Sequence, residues 1–487
     1  MAAFPFEQLL AHIPAHFLEL AQKLTSQGFH CAFVGGAIRD LILGRPVSDF
    51  DLATSARPEE LKALFHRDYS IVDTGIEHGT ITVVFPAQLT PRNLEITSYR
   101  KDIELRSGDH RHPARVEFGQ SLEDDLARRD FTINALALCL DGKLIDLYGG
   151  LKDLEAQKIR CVGTPEKRFD EDALRMLRAL RFASILNFSL DEEIDAALRK
   201  MDPLLDYLSV ERIEKECEKF CLGESAPKLF WAYPNVWKHV FKALPEWVFS
   251  ENLFATSKPQ PSTQKTQPST QQTTFAPQLP VLTQHHAETF SQFKESLSTL
   301  WPQLPYAFEE RFTLLFYLSM LNGLNLSAFP TNLSDTLLAL HASKQRVTIC
   351  STIAEAMLAH LPTQAPEIKT FVAGRPNLDF PRYLAFASSL AAWDHFDLLE
   401  LPWSASDVFE AQRCYTLCRE RGDAFTVKDL QISGKDLIAS GLRPSPQIGE
   451  ILNQLLLLCF EKPELNEREQ LLEISKKLAE NKPSAQD

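Results

Sequence analysis

The strand-like stretches of this 487-residue chain are gathered into one part of it, and that confinement limits the fold more than any composition figure does. Between Cys31 and about residue 160, the short runs CAFVG, DFDLAT, TITVVF, NLEITSY and LIDLY alternate with helical segments such as RPEELKALF. Short runs rich in β-branched and aromatic residues read as strands, and their alternation with helices predicts an α/β or α+β domain. Beyond residue 160 the pattern is helical almost throughout. Ahead of the first strand, Phe6, Leu9, Leu10, Ile13, Phe17 and Leu20 recur at helical spacing and predict one amphipathic helix over residues 5–29.

At roughly 150 residues per domain the length allows about three domains, each able to bury a core without staples. The balance of 51 Lys and Arg against 65 Asp and Glu gives a net charge of -14. That excludes a global positive field, so any polyanionic partner has to be held by local basic patches. The longest unbroken apolar run, Leu455 to Phe460, falls far short of the roughly 18 residues of a membrane span, so no membrane partner is expected. The first residues, MAAFPFEQLLAHIP, carry Glu7 and no Lys or Arg, which fits neither a secretory signal nor an Arg-rich transit peptide and leads to the expectation of a cytoplasmic location.

Nine cysteines are too few for a disulfide scaffold of this length. The pairs Cys217/Cys221 and Cys414/Cys418 each share a helix face, and without the usual zinc spacing or His partners they read as small apolar residues. Residues 256–280, rich in Ser, Thr, Gln and Pro and nearly free of aliphatics, read as a disordered insertion or linker. Near the end, ISGKDLIASGLRPSPQIGEIL reads as a helix, a tight turn and a second helix.

The chemistry begins at Phe33-Val34-Gly35-Gly36-Ala37-Ile38-Arg39-Asp40, a strand that ends in two glycines and feeds a helix. Glycines there let backbone N–H groups approach a phosphate closely. About ten residues on, Ser48-Asp49-Phe50-Asp51 puts two carboxylates on one face of a predicted strand. Adjacent carboxylates repel one another unless a cation lies between them, so an Asp-x-Asp of this kind is a natural Mg2+ site, with a solvated strand end as its bland alternative. Glu95, in NLEITSY, adds a third acid in the same domain. Three carboxylates beside a glycine turn suggest two-metal phosphoryl transfer.

The segments GGAIRD, SDFDLAT, LEITSYR, RRDFTINALAL and EDALRMLRALRF resemble, in order and spacing, those of the class II tRNA nucleotidyltransferase and bacterial poly(A) polymerase family. The resemblance is dense from about residue 31 to 220 and returns in ISGKDLIASGLRPSPQIGEIL, which looks like the tail motif of the bacterial CCA-adding members. It implies an α+β class: a polymerase-β-like head, a mixed sheet with helices, followed by an all-α neck, body and tail. The corresponding segments are an N-terminal helix (1–30), head (31–157), neck (158–225), body with the insertion (226–345) and RNA-binding tail (346–487). The implied activity is template-independent extension of an RNA 3′ end, here completion of the CCA end of tRNA from CTP and ATP with two Mg2+ ions. Addition of A alone and poly(A) addition are the alternatives within the family, and a non-catalytic RNA-binding protein is the alternative outside it.

Carried over residue by residue, the resemblance makes Asp49 and Asp51 metal ligands and Glu95 the third acid beside the primer 3′-OH. Gly35, Gly36 and Arg39 would hold the triphosphate. Arg128, Arg129, Asp130 and Asn134 would lie near the ribose and phosphates. Asp172 and Arg175, at i, i+3 spacing, are expected side by side on a helix, where an acceptor beside a donor suits cytosine and adenine and leaves guanine and uracil unpaired; a plain surface ion pair is the alternative. Arg178, on the same helix, joins the nucleotide-binding set. It belongs to a stretch from Lys158 to Arg181 with seven basic and four acidic residues, a local +3 suited to a phosphate backbone.

The segment from Thr74 to Val83, TGIEHGTITV, looks like the CCA-adding version of the head. Asp109, Arg111 and Pro113, in a polar loop from Arg100 to Arg115, resemble the flexible loop that A addition requires. Ser445 departs from the Gly common in the tail motif. No HD phosphohydrolase motif is present, since His395 follows Asp394 in reverse order.

Overall fold

The computed structural model describes residues 6–47, 49–73, 75–76, 79–105, 113–118, 121–242, 296–320, 329–394 and 396–480. The 256–280 segment, Ser48, Thr74, Glu77, His78, Asp109, Arg111 and His395 lie outside the described residues. The chain divides into two compact units, residues 1–242 and 243–487.

The first unit is built on a seven-stranded sheet. In chain order its strands are β1 (Cys31–Val34), β2 (Phe50–Thr54), β3 (Ser70–Val72), β4 (Thr80–Val84), β5 (Asn93–Ser98), β8 (Leu136–Cys139) and β9 (Leu144–Asp146). They lie side by side as β3-β4-β5-β2-β1-β8-β9, with β2 and β5 parallel and the other neighbours antiparallel. The five strand-like runs of the sequence fall on β1, β2, β4, β5 and β9.

The register separates core from site by a single residue. Across the sheet, Phe33 faces Leu52, Leu52 faces Ile96 and Ile96 faces Ile81, and all four are fully buried. Burying each such side chain contributes roughly 1.5–3 kcal/mol. The next row along, Val34, Asp51, Glu95 and Thr82, points to the opposite face because successive side chains alternate. Helix α1 (Ala15–Ser26) covers the apolar face through Phe17, whose ring meets Phe50 and Phe85 edge-on or tilted at 5.8 and 5.3 Å. On the other face Ala32, Val34, Ala53 and Ala137 pack with Leu126 of α4 (Leu122–Ala127).

Two expectations are corrected. Residues 5–29 are not one helix: a 3-10 helix over Phe6–His12 stops before Pro14, and α1 starts after it. Proline lacks an N–H and restricts the residue before it, so the chain restarts, with Pro14 O accepting from Phe17 N–H at 2.9 Å. Nor is the segment from Arg100 to Arg115 simply a loop. Residues Arg100–Leu105 (β6) and Pro113–Phe118 (β7) pair as an antiparallel hairpin, consistent with the apolar alternation in Asp-Ile-Glu-Leu and Arg-Val-Glu-Phe.

Helices complete the first unit. Helix α2 (Gly36–Ile42) follows β1, α6 (Pro165–Glu171) leads into α7 (Leu174–Leu186), and α9 (Val210–Cys221) packs along α7. Cys217 and Cys221 are buried on α9, and all nine cysteines are free thiols.

The described part of the second unit is helical. Its last helices, Gly434–Ala439, Gln447–Glu461 and Arg468–Glu480, share an apolar core around Leu437, Ile451, Leu455, Cys459, Phe460 and Leu471. The expected helix, turn and helix are present, with Gly441 at φ +108° in the turn. The first of them opens with a capping box: Ser433 Oγ and N–H both donate to Asp436, at 2.7 and 2.8 Å. Beneath this core Lys369, fully buried, pairs with Asp423 at 2.8 Å and donates to Phe460 O at 3.3 Å. Arg421 holds the same carboxylate from its exposed side at 2.8 Å. No described helix is long and apolar enough to cross a membrane.

Candidate active site

A cleft of about 700 Å³ opens in the first unit between the end of the sheet and helices α2, α7 and α9. Gly35, Gly36, Arg39, Asp49 and Asp51 line one part of it. Arg128, Arg129, Asp130 and Asn134 line another, and Asp172, Arg175 and Arg178 a third. Residues spread over 144 positions of sequence from Gly35 to Arg178 thus meet at one opening.

The acids sit where the sheet register puts them. Asp51 is half-buried on β2, directly beside Glu95 on parallel β5, while Asp49 precedes the strand by one residue and is exposed. Burial first, then the Glu95 charge, pushes the Asp51 carboxyl up to about 6; Arg129 opposes that rise and Asp49 adds to it. Glu95 itself is exposed and does not line the cleft. Among the described residues no three His, Cys, Asp or Glu side chains converge closely enough to enclose an ion unaided. The donor set still suits a hard divalent cation, because Mg2+ keeps several waters and takes one or two carboxylates plus substrate phosphate.

Gly35 stands at the junction of strand and helix at φ +78°, and its N–H donates to Leu136 O at 3.1 Å, extending the β1–β8 ladder. A Cβ there would lie 2.9 Å from Arg129 Nη1 and 3.7 Å from Asp51 Oδ2, so any side chain would enter the space between the acid and the guanidinium.

The arginines are held by hydrogen bonds rather than left to solvent. Arg39 grips Asp40 with Nε and Nη2 (2.9 and 2.8 Å) and donates through Nη1 to Asn134 Oδ1 at 2.6 Å. Arg128 and Arg129 both bind Asp125, a fully buried residue of α4, at 2.6 and 3.0 Å. Burial alone would raise the Asp125 carboxyl; the two guanidiniums hold it below its ordinary range. Asp130, buried, accepts from Phe131 N–H, Asn134 Nδ2 and Arg178 Nε at 2.8, 3.1 and 2.8 Å. Against burial, chiefly Arg178 and then Asn134 draw its carboxyl down to about 2. Three donors of cleft-lining arginines, Arg129 Nε, Arg181 Nε and Arg212 Nη1, are buried and make no hydrogen bond among the described residues.

The pairing of Asp172 with Arg175 is corrected. Asp172 is not helical; it lies extended between α6 and α7, where it accepts from Leu174 N–H at 3.1 Å. Its two oxygens both receive Arg212 Nη2 of α9, at 3.0 and 2.8 Å. Arg175 instead donates to Glu171 at 2.6 Å and to Arg128 O at 3.0 Å. Both residues face the cleft, each fixed by a different partner, and no ion pair joins them. Helix α7 starts one residue after Ala173, so i, i+3 spacing there crosses a helix boundary.

Asp125, Arg212, Glu216 and Lys219 went unnoticed in the sequence, and Arg181 was singled out only as part of the basic stretch from Lys158. Asp125 had a local signal, since Asp125, Arg128 and Arg129 stand at i, i+3 and i+4. Arg212 had none, because its partner lies 40 residues away.

Comparison with known proteins comes to the same region. The poly A polymerase head domain matches residues 31–160. The CCA-adding enzyme of Enterococcus faecalis is 49% identical over 217 residues, 44% of this chain and 51% of that protein. The CCA-adding enzyme of Lactobacillus helveticus is 47% identical over 213 residues, again 44% and 51%. The chain therefore spans about half the length of the curated relatives it matches. The crystal structure of the Bacillus stearothermophilus CCA-adding enzyme in complex with CTP superimposes over 96% of this chain and 98% of its own, with TM-score 0.62 and 28% identity. A CCA-adding enzyme in complex with ATP shares the fold, with TM-score 0.53 and 19% identity over 97% of this chain and 98% of its own. A mixed-sheet head with acids and arginines in one cleft, continued by helices, is thus similar in sequence to the poly A polymerase head domain over residues 31–160 and in fold to a solved CCA-adding enzyme.

Proposed function

We propose that this chain adds C, C and A to the 3′ end of tRNA by nucleotidyl transfer from CTP and ATP. The observation that carries the reading is the cleft itself, where Asp49 and the half-buried Asp51 face guanidiniums with unbonded buried donors. Such a surface is complementary to a triphosphate accompanied by cations. The likeness to a solved CCA-adding enzyme in complex with CTP supports the same reading.

In this proposal the 3′-oxygen of the RNA attacks the α-phosphorus of the nucleotide, the bond to the β-phosphate oxygen breaks, and pyrophosphate leaves. Asp49 and Asp51, with Glu95 beside the primer end, would hold two Mg2+ ions, which when bound supply charge to the transferring phosphoryl group. Gly35 and Gly36 leave the backbone open to the triphosphate, and Arg39, Arg128 and Arg129 balance its charge. Asp130 and Asn134, locked to each other and to Arg178, meet the ribose. Asp172 and Arg175 read the base, the acid as acceptor for an amino group and the arginine as donor to ring acceptors. Asp109, Arg111 and Pro113 are assigned to the loop that allows A to follow CC. A cytoplasmic location accompanies this reading.

The deciding experiment offers the protein three tRNAs, ending before the CCA, after CC and after CCA. Each nucleotide is supplied singly and products are resolved to one nucleotide. CTP should extend the first by two, ATP the second by one, and neither the third. Extension of the CC-ended tRNA alone would make the enzyme A-adding, and long A tails would make it a poly(A) polymerase. Binding of tRNA without extension would leave an RNA-binding protein.

A further inference from the structure

Phe182 lies on α7 in the wall of the cleft and is nearly buried. Three guanidiniums stand over its ring, with Cζ of Arg181, Arg39 and Arg178 at 4.2, 5.0 and 5.5 Å from the centroid. Phe131 meets the ring edge-on, with centroids 5.7 Å apart and planes at 80°, and so fixes its orientation. Arg39 comes from α2 at the end of β1, whereas Arg178 and Arg181 come from α7, so the ring is the meeting point of two elements.

Each guanidinium also has a carboxylate partner. Arg39 pairs with Asp40 at 2.8 Å, Arg178 with Asp130 at 2.5 Å and Arg181 with Glu216 at 3.2 Å. Glu216 also reaches Arg178, at 3.9 Å, so charge pairing ties Arg178 to Arg181 and leaves Arg39, with Asp40, outside that pairing. An aromatic face attracts all of them and gains strength as water is excluded. Unlike a fourth carboxylate, it adds no charge and takes none of the N–H donors that a phosphate oxygen needs.

We propose that Phe182 is a positioning residue for the nucleotide: one aromatic platform that fixes Arg39, on the triphosphate side, relative to Arg178, on the ribose and base side. The proposal rests on the nucleotidyltransferase reading above. Phe182 acts through the arginines, so its loss should weaken nucleotide binding for CTP and ATP alike and leave the bond-making step nearly intact.

The test uses the full chain with Phe182→Leu, which removes the ring at similar volume, and Phe182→Tyr, which keeps it. A series of phenylalanines carrying increasing ring fluorination at position 182 then weakens the negative face at nearly constant shape. Phe182→Leu should raise KM for both nucleotides about tenfold with kcat within about threefold, as expected for loss of partly desolvated cation–π contacts. Phe182→Tyr should restore KM, and the fluorinated series should raise it step by step with an unchanged melting temperature. A flat KM across the fluorinated series, with Phe182→Leu lowering only the melting temperature, would reduce the ring to packing and overturn the proposal. A wild-type protein that neither binds CTP or ATP nor extends tRNA would instead overturn the reading beneath it.

Discussion

The two units treat buried charge in opposite ways. In the second, Asp423 is held from below by Lys369 and from outside by Arg421, and its carboxyl stays beneath the ordinary range despite burial. In the first, Asp51 has Glu95 and Asp49 for neighbours and only Arg129 to oppose them, and its carboxyl is raised. The first arrangement is satisfied within the protein; the second is satisfied only when something else arrives. Charge that closes on itself holds helices together, and charge left unbalanced at an opening is available for chemistry.

The largest effect that would sharpen this contrast is on turnover. Asp51→Asn should lower kcat for nucleotide addition at least about a thousandfold, the scale of removing a group that acts on developing charge. Its melting temperature should hold or rise, because the repulsion with Glu95 is relieved. Addition retained within about tenfold after replacement of both Asp49 and Asp51 would remove the acids from the chemistry and erase the contrast.

Lys369→Met probes the other side. Stripping one partner from a buried pair costs about 3 kcal/mol or more, so the urea midpoint of the second unit should fall clearly, and Lys369→Met with Asp423→Leu should recover most of it. A single variant as stable as the wild type would mean that Arg421 alone carries the acid.

Asp130 is the case in which a cleft acid is internally paired. Its folded carboxyl, at about 2, lies below its ordinary value, so its contribution is fully present above about pH 4 and is lost as pH falls towards 2. Urea titrations of wild type and Asp130→Asn should therefore show a stability gap that narrows by about 2 kcal/mol across that window. A gap independent of pH would show that the Arg178 pairing does not act through ionisation.

The smallest expected effect is at the capping box. Ser433→Ala should cost about 1 kcal/mol in the second unit without altering nucleotide KM. Any change in KM would tie that turn to the cleft.

What could be read from the sequence was whatever depends on near neighbours. The strand runs, the Gly35-Gly36 turn, the Asp-x-Asp and the joining helices all follow from periods of two or about four residues. The hairpin β6–β7 was missed because its polar, charged composition masked an alternation that was present. Asp172 was misplaced because a helix boundary falls inside an otherwise helical spacing. Arg212 and the ring of Phe182 were invisible because their roles are set by tertiary approach: one clamps an acid 40 residues upstream, the other gathers guanidiniums from two elements.

The neighbouring rows of the sheet bear on how the protein is made in quantity. Phe50 and Leu52 face the core while Asp51 faces the cleft, so a one-residue slip of β2 would bury the acid and expose both apolar side chains. A misregistered chain forfeits its stability together with its active site. Folding yield and specific activity should therefore track one another from batch to batch, and an insertion or deletion of one residue between Leu43 and Val47 should reduce soluble protein rather than produce an inert, stable chain.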